Sequence, residues 1–178
     1  NIDELPKKYF AYTQCFRVEA RSSREEERGT IRGHQFNKVE MVEYVPQDKT
    51  EEAFNELLNI AEGLVKNLGL HYQVSKLAAG DCAQGMCRTY DIEVWIPSMG
   101  IYKEVSSVSN SRDYQARRNN TKYRDHDGNV HYVCTLNGSG LATSRLVPAI
   151  VEQYQNKDGS ITVPEVLRPY LGGLEVIK

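Results

Sequence analysis

Residues 13–44 decide the fold, and they read TQCFRVEARSSREEERGTIRGHQFNKVEMVEY. Apolar and polar side chains alternate at both ends of this stretch, which predicts two β-strands joined by a long charged loop. An antiparallel pairing of these strands would bring Arg17, Glu19, Phe36 and Glu40 over one cleft. That combination suits a ligand with an aromatic ring, an anionic centre and an ammonium group.

The two predicted strands have distinct faces. In the first strand an apolar face alternates with the charged pair, and it comprises Phe16, Val18 and Ala20. In the second strand one face is mixed and comprises Phe36, Lys38, Glu40, Val42 and Tyr44. Taken singly, an Arg-x-Glu on a strand is more often a solvated face than a site. The combination, rather than any one residue, indicates a binding site.

Composition excludes several classes of protein. The 178 residues carry a net charge of −2, so the chain is not a general electrostatic binder of nucleic acid. No run is long and apolar enough to cross a membrane. The four cysteines fit no zinc spacing, and we expect free thiols in a reducing cytoplasm. They are Cys15, Cys82, Cys87 and Cys134.

The rest of the chain predicts one further long helix and several hairpins. Residues 50–68 carry an apolar stripe at helical spacing, with Thr50 as a candidate cap and Gly69 as a stop. Alternating segments predict strands over residues 72–77, 90–96, 101–105 and 130–136, and a second helix follows over residues 141–155. Because helices are inserted between antiparallel strands, we expect an α+β fold with a large antiparallel β-sheet flanked by helices.

Two polar segments are candidate functional sites. Gly138 and Gly140 lie just before the second helix and would let a ligand approach the backbone closely, although the third glycine of a dinucleotide fingerprint is missing. The second segment is a basic cluster interleaved with Tyr114 and Tyr123. It fits a solvated face and an RNA-facing patch equally well, and its cations are Arg112, Arg117, Arg118, Lys122 and Arg124.

The motifs in this chain resemble those of one enzyme family. Residues 16–19 and 32–40, FRVE and RGHQFNKVE, resemble motif 2 of the class II aminoacyl-tRNA synthetases, in the form found in seryl-tRNA synthetases. The resemblance covers nearly the whole chain. It continues through TYDIEVWIP (89–97), EVSSVSN (104–110), DYQARR (113–118), TLNGSGLA (135–142), the motif 3 arginine Arg145, and VPEVLRPY (163–170).

The resemblance implies an activity and its ligands. It implies that ATP and L-serine react to seryl-adenylate and pyrophosphate, and that the seryl group then passes to the acceptor end of tRNA(Ser). The residues suit this chemistry, because attack on a phosphate requires orientation and neutralisation of charge. The resemblance further implies a cytoplasmic location, a homodimer for the full-length protein, and a charged loop that reaches toward the tRNA acceptor end.

The resemblance also implies roles for individual residues. Arg17 and Arg145 would be catalytic, and Glu40, Asn137 and Ser139 would bind serine. The ATP site would comprise Arg17, Glu19, Arg32, Phe36, Glu104, Val105, Ser106, Ser107 and Arg145. Glu104 and Ser107 would ligate Mg²⁺. Strict alternation places those two side chains on opposite faces, so joint ligation requires a bulge or turn between them.

We interpret residues 1–178 as the C-terminal part of the synthetase catalytic domain, without the N-terminal coiled coil that binds tRNA and without motif 1. On that interpretation the chain alone has weak or no activity. Two alternatives remain open. One is a synthetase-like ligase that charges a carrier protein with serine or another small amino acid, and the other is a non-catalytic fragment that keeps the ATP-binding fold.

Overall fold

The structure is a computed structural model that describes residues 1–18 and 29–178. In chain order the strands are β1 (Lys7–Phe16), β2 (Gln35–Val45), β3 (Tyr72–Lys76), β4 (Arg88–Ile96), β5 (Ile101–Arg112), β6 (Lys122–Arg124), β7 (Val130–Tyr132), β8 (Cys134–Ala142), β9 (Ile161–Thr162) and β10 (Val176–Ile177). The helices are α1 (Thr50–Asn67), α2 (Tyr114–Asn119) and α3 (Thr143–Gln153). Short 3-10 turns occupy Ile2–Glu4, Gly29–Arg32, Gln47–Lys49 and Glu165–Leu171.

A large antiparallel sheet organises the described part of the chain. Its six strands lie in the order β1-β2-β8-β5-β4-β3, and every neighbouring pair is antiparallel. Two small two-stranded sheets, β6–β7 and β9–β10, lie outside it. The α+β class and the antiparallel sheet with flanking helices, both predicted from sequence, are therefore confirmed.

Helix α1 covers one face of the sheet with its apolar stripe. Phe54, Leu57 and Val65 are almost fully buried, and they pack in one cluster with Ile92 and Leu136 of the sheet. Burying each of these side chains contributes on the order of 2 kcal/mol. Most of the stripe predicted over residues 50–68 is confirmed as core, although Leu64 is 38% exposed.

The ends of α1 agree only partly with the prediction. Gly69 follows the helix with φ +69°, and its N–H donates to the carbonyl of Lys66. A residue without a Cβ adopts this left-handed conformation most easily, so the predicted stop is confirmed. Thr50 is not the N-cap, because its hydroxyl donates to the carbonyl of Gln47 in the preceding 3-10 turn and the helix begins at Thr50 itself.

The first predicted strand ends earlier than expected. β1 stops at Phe16, and Ala20 of the predicted apolar face lies outside the described residues. Phe16 and Val18 are 71% and 90% exposed, so no described residue covers this face. β1 forms an edge of the sheet, where alternation predicts two faces but cannot tell whether either is covered.

The segment after β5 is more structured than its polar composition predicts. Residues 110–129 contain the short helix α2 and the strand β6, and the strand predicted over residues 130–136 is divided between β7 and β8. Helix α3 is shorter than predicted, because β8 continues through residues 137–142 before the helix begins at Thr143.

Candidate active site

The face of the sheet opposite α1 carries polar side chains on four neighbouring strands. Because side chains alternate along a strand, Glu40 of β2, Ser139 of β8, Ser107 of β5 and Asp91 of β4 point to this polar face, away from the apolar cluster. Most residues predicted from sequence to bind ligands lie on these strands or beside them.

The three predicted serine-binding residues meet across β2 and β8. Glu40 pairs in register with Ser139, whose hydroxyl donates to Glu40 Oε2 at 3.0 Å. Asn137 Nδ2 donates to Glu40 Oε1 at 2.8 Å, and Lys38 Nζ lies 3.2 Å from Oε2. The result is a partly exposed carboxylate whose two oxygens are oriented by neighbouring donors. An anionic group fixed in this way is suited to hold an ammonium group.

The predicted aromatic platform lies further along the same face of β2. The Arg17 guanidinium carbon lies 4.5 Å from the centre of the Phe36 ring, and the Arg17 N–H donates to the carbonyl of His34. Phe36 precedes Glu40 by four residues, which corresponds to about 13 Å along a strand. An aromatic recognition point and an ammonium recognition point are thus separated along one strand. Glu19, predicted to contact adenine, lies outside the described residues.

A β-bulge in β5 brings the two predicted metal ligands to one face. Ile92 of β4 pairs with Ser106, but the next residue of β4, Glu93, pairs with Glu104, so Val105 is an extra residue in β5. The extra residue reverses the alternation between Glu104 and Ser107. The sequence analysis required a bulge between Glu104 and Ser107 for joint ligation, and the structure has this bulge.

Arg145 connects helix α3 to this bulge. Its Nη1 donates to the Glu104 carbonyl at 3.0 Å and lies 3.7 Å from Glu104 Oε2. Its Nε donates to the carbonyl of Ile31 at 3.3 Å, in the 3-10 turn that ends with the predicted ATP contact Arg32. The structure therefore places Arg145, Glu104 and the turn carrying Arg32 beside one another.

Val105 and Ser106 are buried in the body of the fold. Val105 belongs to the apolar cluster, and the Ser106 hydroxyl donates to the Ser139 carbonyl at 2.6 Å. Only backbone atoms of these two residues are left for the predicted contact with ATP.

Asp91 is a buried site residue that the sequence analysis did not single out. It pairs in register with Ser107, whose hydroxyl donates to Asp91 Oδ1 at 2.7 Å. Burial raises the pKa of Asp91 to about 6; the hydrogen bond from Ser107 opposes this shift, and the neighbouring Glu104 carboxylate adds to it. The register that places Asp91 opposite Ser107 depends on the bulge, and no sequence signal locates that bulge.

Protein side chains fill the space beside the glycines before α3. A Cβ added at Gly138 would lie 3.1 Å from Val108 Cγ2, and one added at Gly140 would lie 3.5 Å from Leu64 Cδ1 of α1. Both glycines thus face the apolar side of the sheet, and both remain within β8. The prediction of close ligand approach at these glycines is wrong, because they allow helix α1 and the neighbouring strands to pack closely.

Four of the five cations of the basic cluster have side-chain contacts within the described chain: Arg117, Arg118, Lys122 and Arg124. Arg117 pairs with Asp113 at 3.6 Å, Arg118 lies over the Tyr114 ring, Lys122 lies over the Tyr132 ring, and Arg124 donates to the carbonyl of Gly128. These contacts are local to α2 and the β6–β7 hairpin. A role in RNA binding stays a prediction.

The donor chemistry at the bulge fits a hard cation that also binds substrate oxygens. Glu104 offers a carboxylate and Ser107 a hydroxyl, and magnesium prefers oxygen ligands of this kind. In residues 1–18 and 29–178 there is no group of three or more His, Cys, Asp or Glu side chains arranged to hold a metal. An ion at the bulge would therefore depend on the Ser107 hydroxyl and on ligand phosphates.

The cavities of the described structure do not coincide with the predicted site residues as a group. One of about 450 Å³ lies near the N-terminus and the β6–β7 hairpin, where Leu5, Tyr44 and Tyr123 line it. A smaller cavity of about 410 Å³ includes Phe36 together with Thr143 of α3. The donor arrangement, rather than cavity size, therefore locates the candidate site on the polar face.

This fold and this arrangement of residues define a class of enzyme catalytic domain. Residues 1–154 match the tRNA synthetase class II core domain (G, H, P, S and T), and the chain belongs to this family.

Within this class, the chain is similar to serine–tRNA ligases. It is 64% identical over 171 residues to serine–tRNA ligase 2 of Clostridium acetobutylicum, which covers 96% of the chain and 40% of that relative. It is 54% identical over 172 residues to the serine–tRNA ligase of Kosmotoga olearia, covering 97% of the chain and 41% of the relative. The chain thus spans about 40% of the length of these curated relatives.

A solved structure agrees with these relatives. The crystal structure of seryl-tRNA synthetase from Pyrococcus horikoshii complexed with ATP superimposes with a TM-score of 0.94 at 38% identity, over 99% of this chain and 40% of that one.

Two further observations bear on the setting of the chain. Among the described helices, none has the length and apolar character needed to cross a membrane. Cys15, Cys82, Cys87 and Cys134 are free thiols, as predicted.

Proposed function

We propose that the protein containing this chain is a serine–tRNA ligase, and that the chain carries most of its site for ATP and serine. The reaction joins serine to AMP with release of pyrophosphate, and then transfers the seryl group to the 3′ end of tRNA(Ser). The observation that carries the proposal is the group formed by Glu40, Asn137 and Ser139. The similarity to serine–tRNA ligases supports the same conclusion.

In this proposal each end of the adenylate has its own recognition point. The Glu40 carboxylate, held by Asn137 and Ser139, receives the serine ammonium, and the polar groups beside it suit a small hydroxylated side chain. Phe36 stacks against adenine, and Glu19 contacts the adenine amino group. Because both recognition points lie along β2, the reacting carboxylate and α-phosphate fall between them.

Charge near the phosphates is supplied by arginines on separate elements. Arg17 at the end of β1 bridges the serine carboxylate and the α-phosphate, since a planar cation can bind two oxygens at once. Arg145 of α3 stacks on the other face of adenine. Arg32 of the 3-10 turn holds the terminal phosphates. These groups orient the reactants and stabilise the negative charge that develops in the transition state.

Magnesium fits the donors at the bulge. Glu104 and Ser107 would hold the ion, which when bound neutralises phosphate charge. In this proposal Mg²⁺ is the cofactor of the enzyme, and ATP is a substrate.

The remaining parts of the proposal concern the full-length protein. We infer that it acts in the cytoplasm as a homodimer, that residues 1–178 are the C-terminal part of its catalytic domain, and that the charged loop 21–28 reaches toward the tRNA acceptor end. The free thiols agree with a reducing compartment.

Amino-acid-dependent exchange of pyrophosphate into ATP tests the proposal. The full-length protein is assayed with serine and with threonine, alanine, glycine and cysteine, and then for transfer of serine to tRNA. We expect exchange with serine to exceed that with each competitor by at least about 100-fold, because a site built on hydrogen bonds strongly rejects ligands that leave them unmade. Exchange without transfer to tRNA would favour a carrier-protein ligase, and no serine-dependent exchange would contradict the proposal.

A further inference from the structure

Asp91 and Ser107 form a cross-strand pair on the polar face, directly beside Glu104. Asp91 is only 8% exposed, and its Oδ1 accepts the Ser107 hydroxyl hydrogen at 2.7 Å. The two residues are register partners of β4 and β5, so the backbone ladder holds them opposite each other. The roles proposed above for Glu104 and Ser107 do not account for this buried carboxylate.

The hydrogen bond determines which side of the Ser107 oxygen is available. A hydroxyl has one hydrogen and two lone pairs, and it can ligate a cation only through a lone pair. Because its single hydrogen is committed to Asp91, the lone pairs of Ser107 Oγ point away from Asp91. A carboxylate acceptor makes this bond stronger than a neutral acceptor would.

The surroundings of Asp91 also favour a cation. The carboxylates that face Asp91 are Glu104 on β5 and Glu93 on its own strand, and the neighbouring cation is Arg145 of α3. A buried carboxylate beside two others costs free energy unless positive charge offsets it. Arg145 already contacts Glu104, so a divalent ion at the bulge would supply the further positive charge.

We propose that Asp91 is a positioning residue for the magnesium site: by accepting the Ser107 hydrogen, it turns the lone pairs of that oxygen toward the ion shared by Glu104 and Ser107. The inference rests on the proposed function, because that function requires the ion. Asp91 acts through Ser107 and need not touch the ion or the substrates. Groups that orient a metal ligand in this way commonly affect metal affinity by about 10- to 100-fold.

Binding of Mn²⁺ to the full-length protein is the primary test. Mn²⁺ replaces Mg²⁺ as the probe, and the electron paramagnetic resonance signal of free Mn²⁺ is followed during titration, with and without ATP. Asp91→Ala should weaken binding by about 10- to 100-fold. Asp91→Asn should weaken it less, because the amide oxygen can still accept the hydrogen.

A matched control distinguishes positioning from a general loss of negative charge. Glu93→Gln removes a carboxylate from the same strand and face, but Glu93 accepts hydrogen bonds from Gln73 and Ser75 and has none to Ser107. We expect Mn²⁺ affinity within about twofold of the unmodified protein. A loss in Glu93→Gln as large as the loss in Asp91→Ala would overturn the positioning role.

A double variant tests whether Asp91 acts through Ser107. If it does, adding Asp91→Ala to Ser107→Ala should change Mn²⁺ affinity by less than about twofold, since the oxygen to be oriented is already gone. A full additional loss, or Mn²⁺ binding by Asp91→Ala and Asp91→Asn within twofold of the unmodified protein, would overturn the inference. Absence of serine-dependent exchange in the unmodified protein would contradict the proposed function instead.

Discussion

Glu40 is the residue whose surroundings are most specific in the candidate site. Its two oxygens accept hydrogen bonds from different residues of β8, and Lys38 approaches one of them. Truncating one partner of a charged pair costs more than a neutral hydrogen bond, because the remaining charge loses its counterpart. The amino-acid site should therefore be far more sensitive to this residue than the nucleotide site.

Glu40→Gln in the full-length protein tests that expectation. We expect this substitution to weaken serine binding by on the order of 2 kcal/mol, which is about 30-fold in affinity, and to have little effect on ATP binding. Pyrophosphate exchange at varied serine and varied ATP separates the two effects. Glu43→Gln is the matched control, because it makes the same change three residues along β2 on the opposite face. Equal losses for serine and ATP would remove Glu40 from the ammonium role.

Cysteine reactivity gives a second prediction at this scale. Burial raises the pKa of the Cys134 thiol to about 11, whereas Cys87 is exposed. At pH 8 only about one Cys134 thiol in a thousand is ionised, and the thiolate is the reactive form. Iodoacetamide should therefore label Cys87 first, and Cys134 only after denaturant is added. Mass spectrometry of the digested protein gives both rates, and comparable labelling of Cys134 in the folded protein would contradict the structure.

Among the elements, β5 shows what sequence patterns reveal and what they leave open. Alternation predicted a returning strand and required a bulge between Glu104 and Ser107 for joint ligation. The bulge lies at Val105, a residue that looks ordinary in sequence because its burial depends on β4 and α1 packing around it. Asp91 was missed for the same reason.

At the glycines of β8, the sequence suggested a ligand-binding feature where the structure has a packing feature. Gly138 and Gly140 were predicted to face a ligand because glycine is typical of loops that cradle phosphates. They instead face Val108 and Leu64, and close packing between the sheet and α1 requires a small residue as strictly as a ligand does. Local sequence cannot distinguish these two causes.

The contact between β2 and α1 contains a buried carboxylate without a full set of partners. Glu43 is 3% exposed, and its Oε2 has no hydrogen-bond partner among the described residues. Lys8 Nζ lies 3.9 Å from Glu43 Oε1 and also binds Glu56. Burial raises the pKa of Glu43, and nearby Lys8 partly opposes the shift. The ionised form is therefore less favourable in the folded chain than in the unfolded chain.

Glu43→Gln should consequently stabilise the chain at neutral pH. Below the usual glutamate pKa of about 4.3 the carboxyl is protonated in both states, so the substitution should have little effect. Above the raised pKa the cost of burying the charge is fully present, and its removal should increase the free energy of unfolding by about 1 kcal/mol. Urea denaturation at several pH values measures this dependence.

Glu52→Gln serves as the control for this measurement, since Glu52 is exposed and pairs only with Lys49 among the described ion pairs. It should change stability little at any pH. Loss of stability in Glu43→Gln at pH 7 would mean that the pairing with Lys8 outweighs the cost of burial.

For the whole molecule, strand pairing distant in sequence is what brings the candidate site together. β2 lies beside β8 although nearly 90 residues separate them, and this pairing joins Glu40 to Asn137 and Ser139. Hydrophobic patterns predicted the elements and the α+β class, but they could not give the strand order. Serine recognition was predicted only through resemblance to a family, because no local pattern joins these three residues.

Titration of residues 1–178 with ATP and Mg²⁺ by calorimetry tests the central claim, that this chain itself carries the ATP site, most directly. Circular dichroism first establishes that the sample is folded. We expect measurable but weak ATP binding, and we expect Phe36→Ala to weaken it about 10-fold through loss of stacking on adenine.

Phe16→Ala removes a neighbouring aromatic ring from the opposite face of the sheet and should leave ATP binding unchanged. A folded chain that binds no ATP, or one in which Phe36→Ala binds as well as the unmodified chain, would contradict the site assignment.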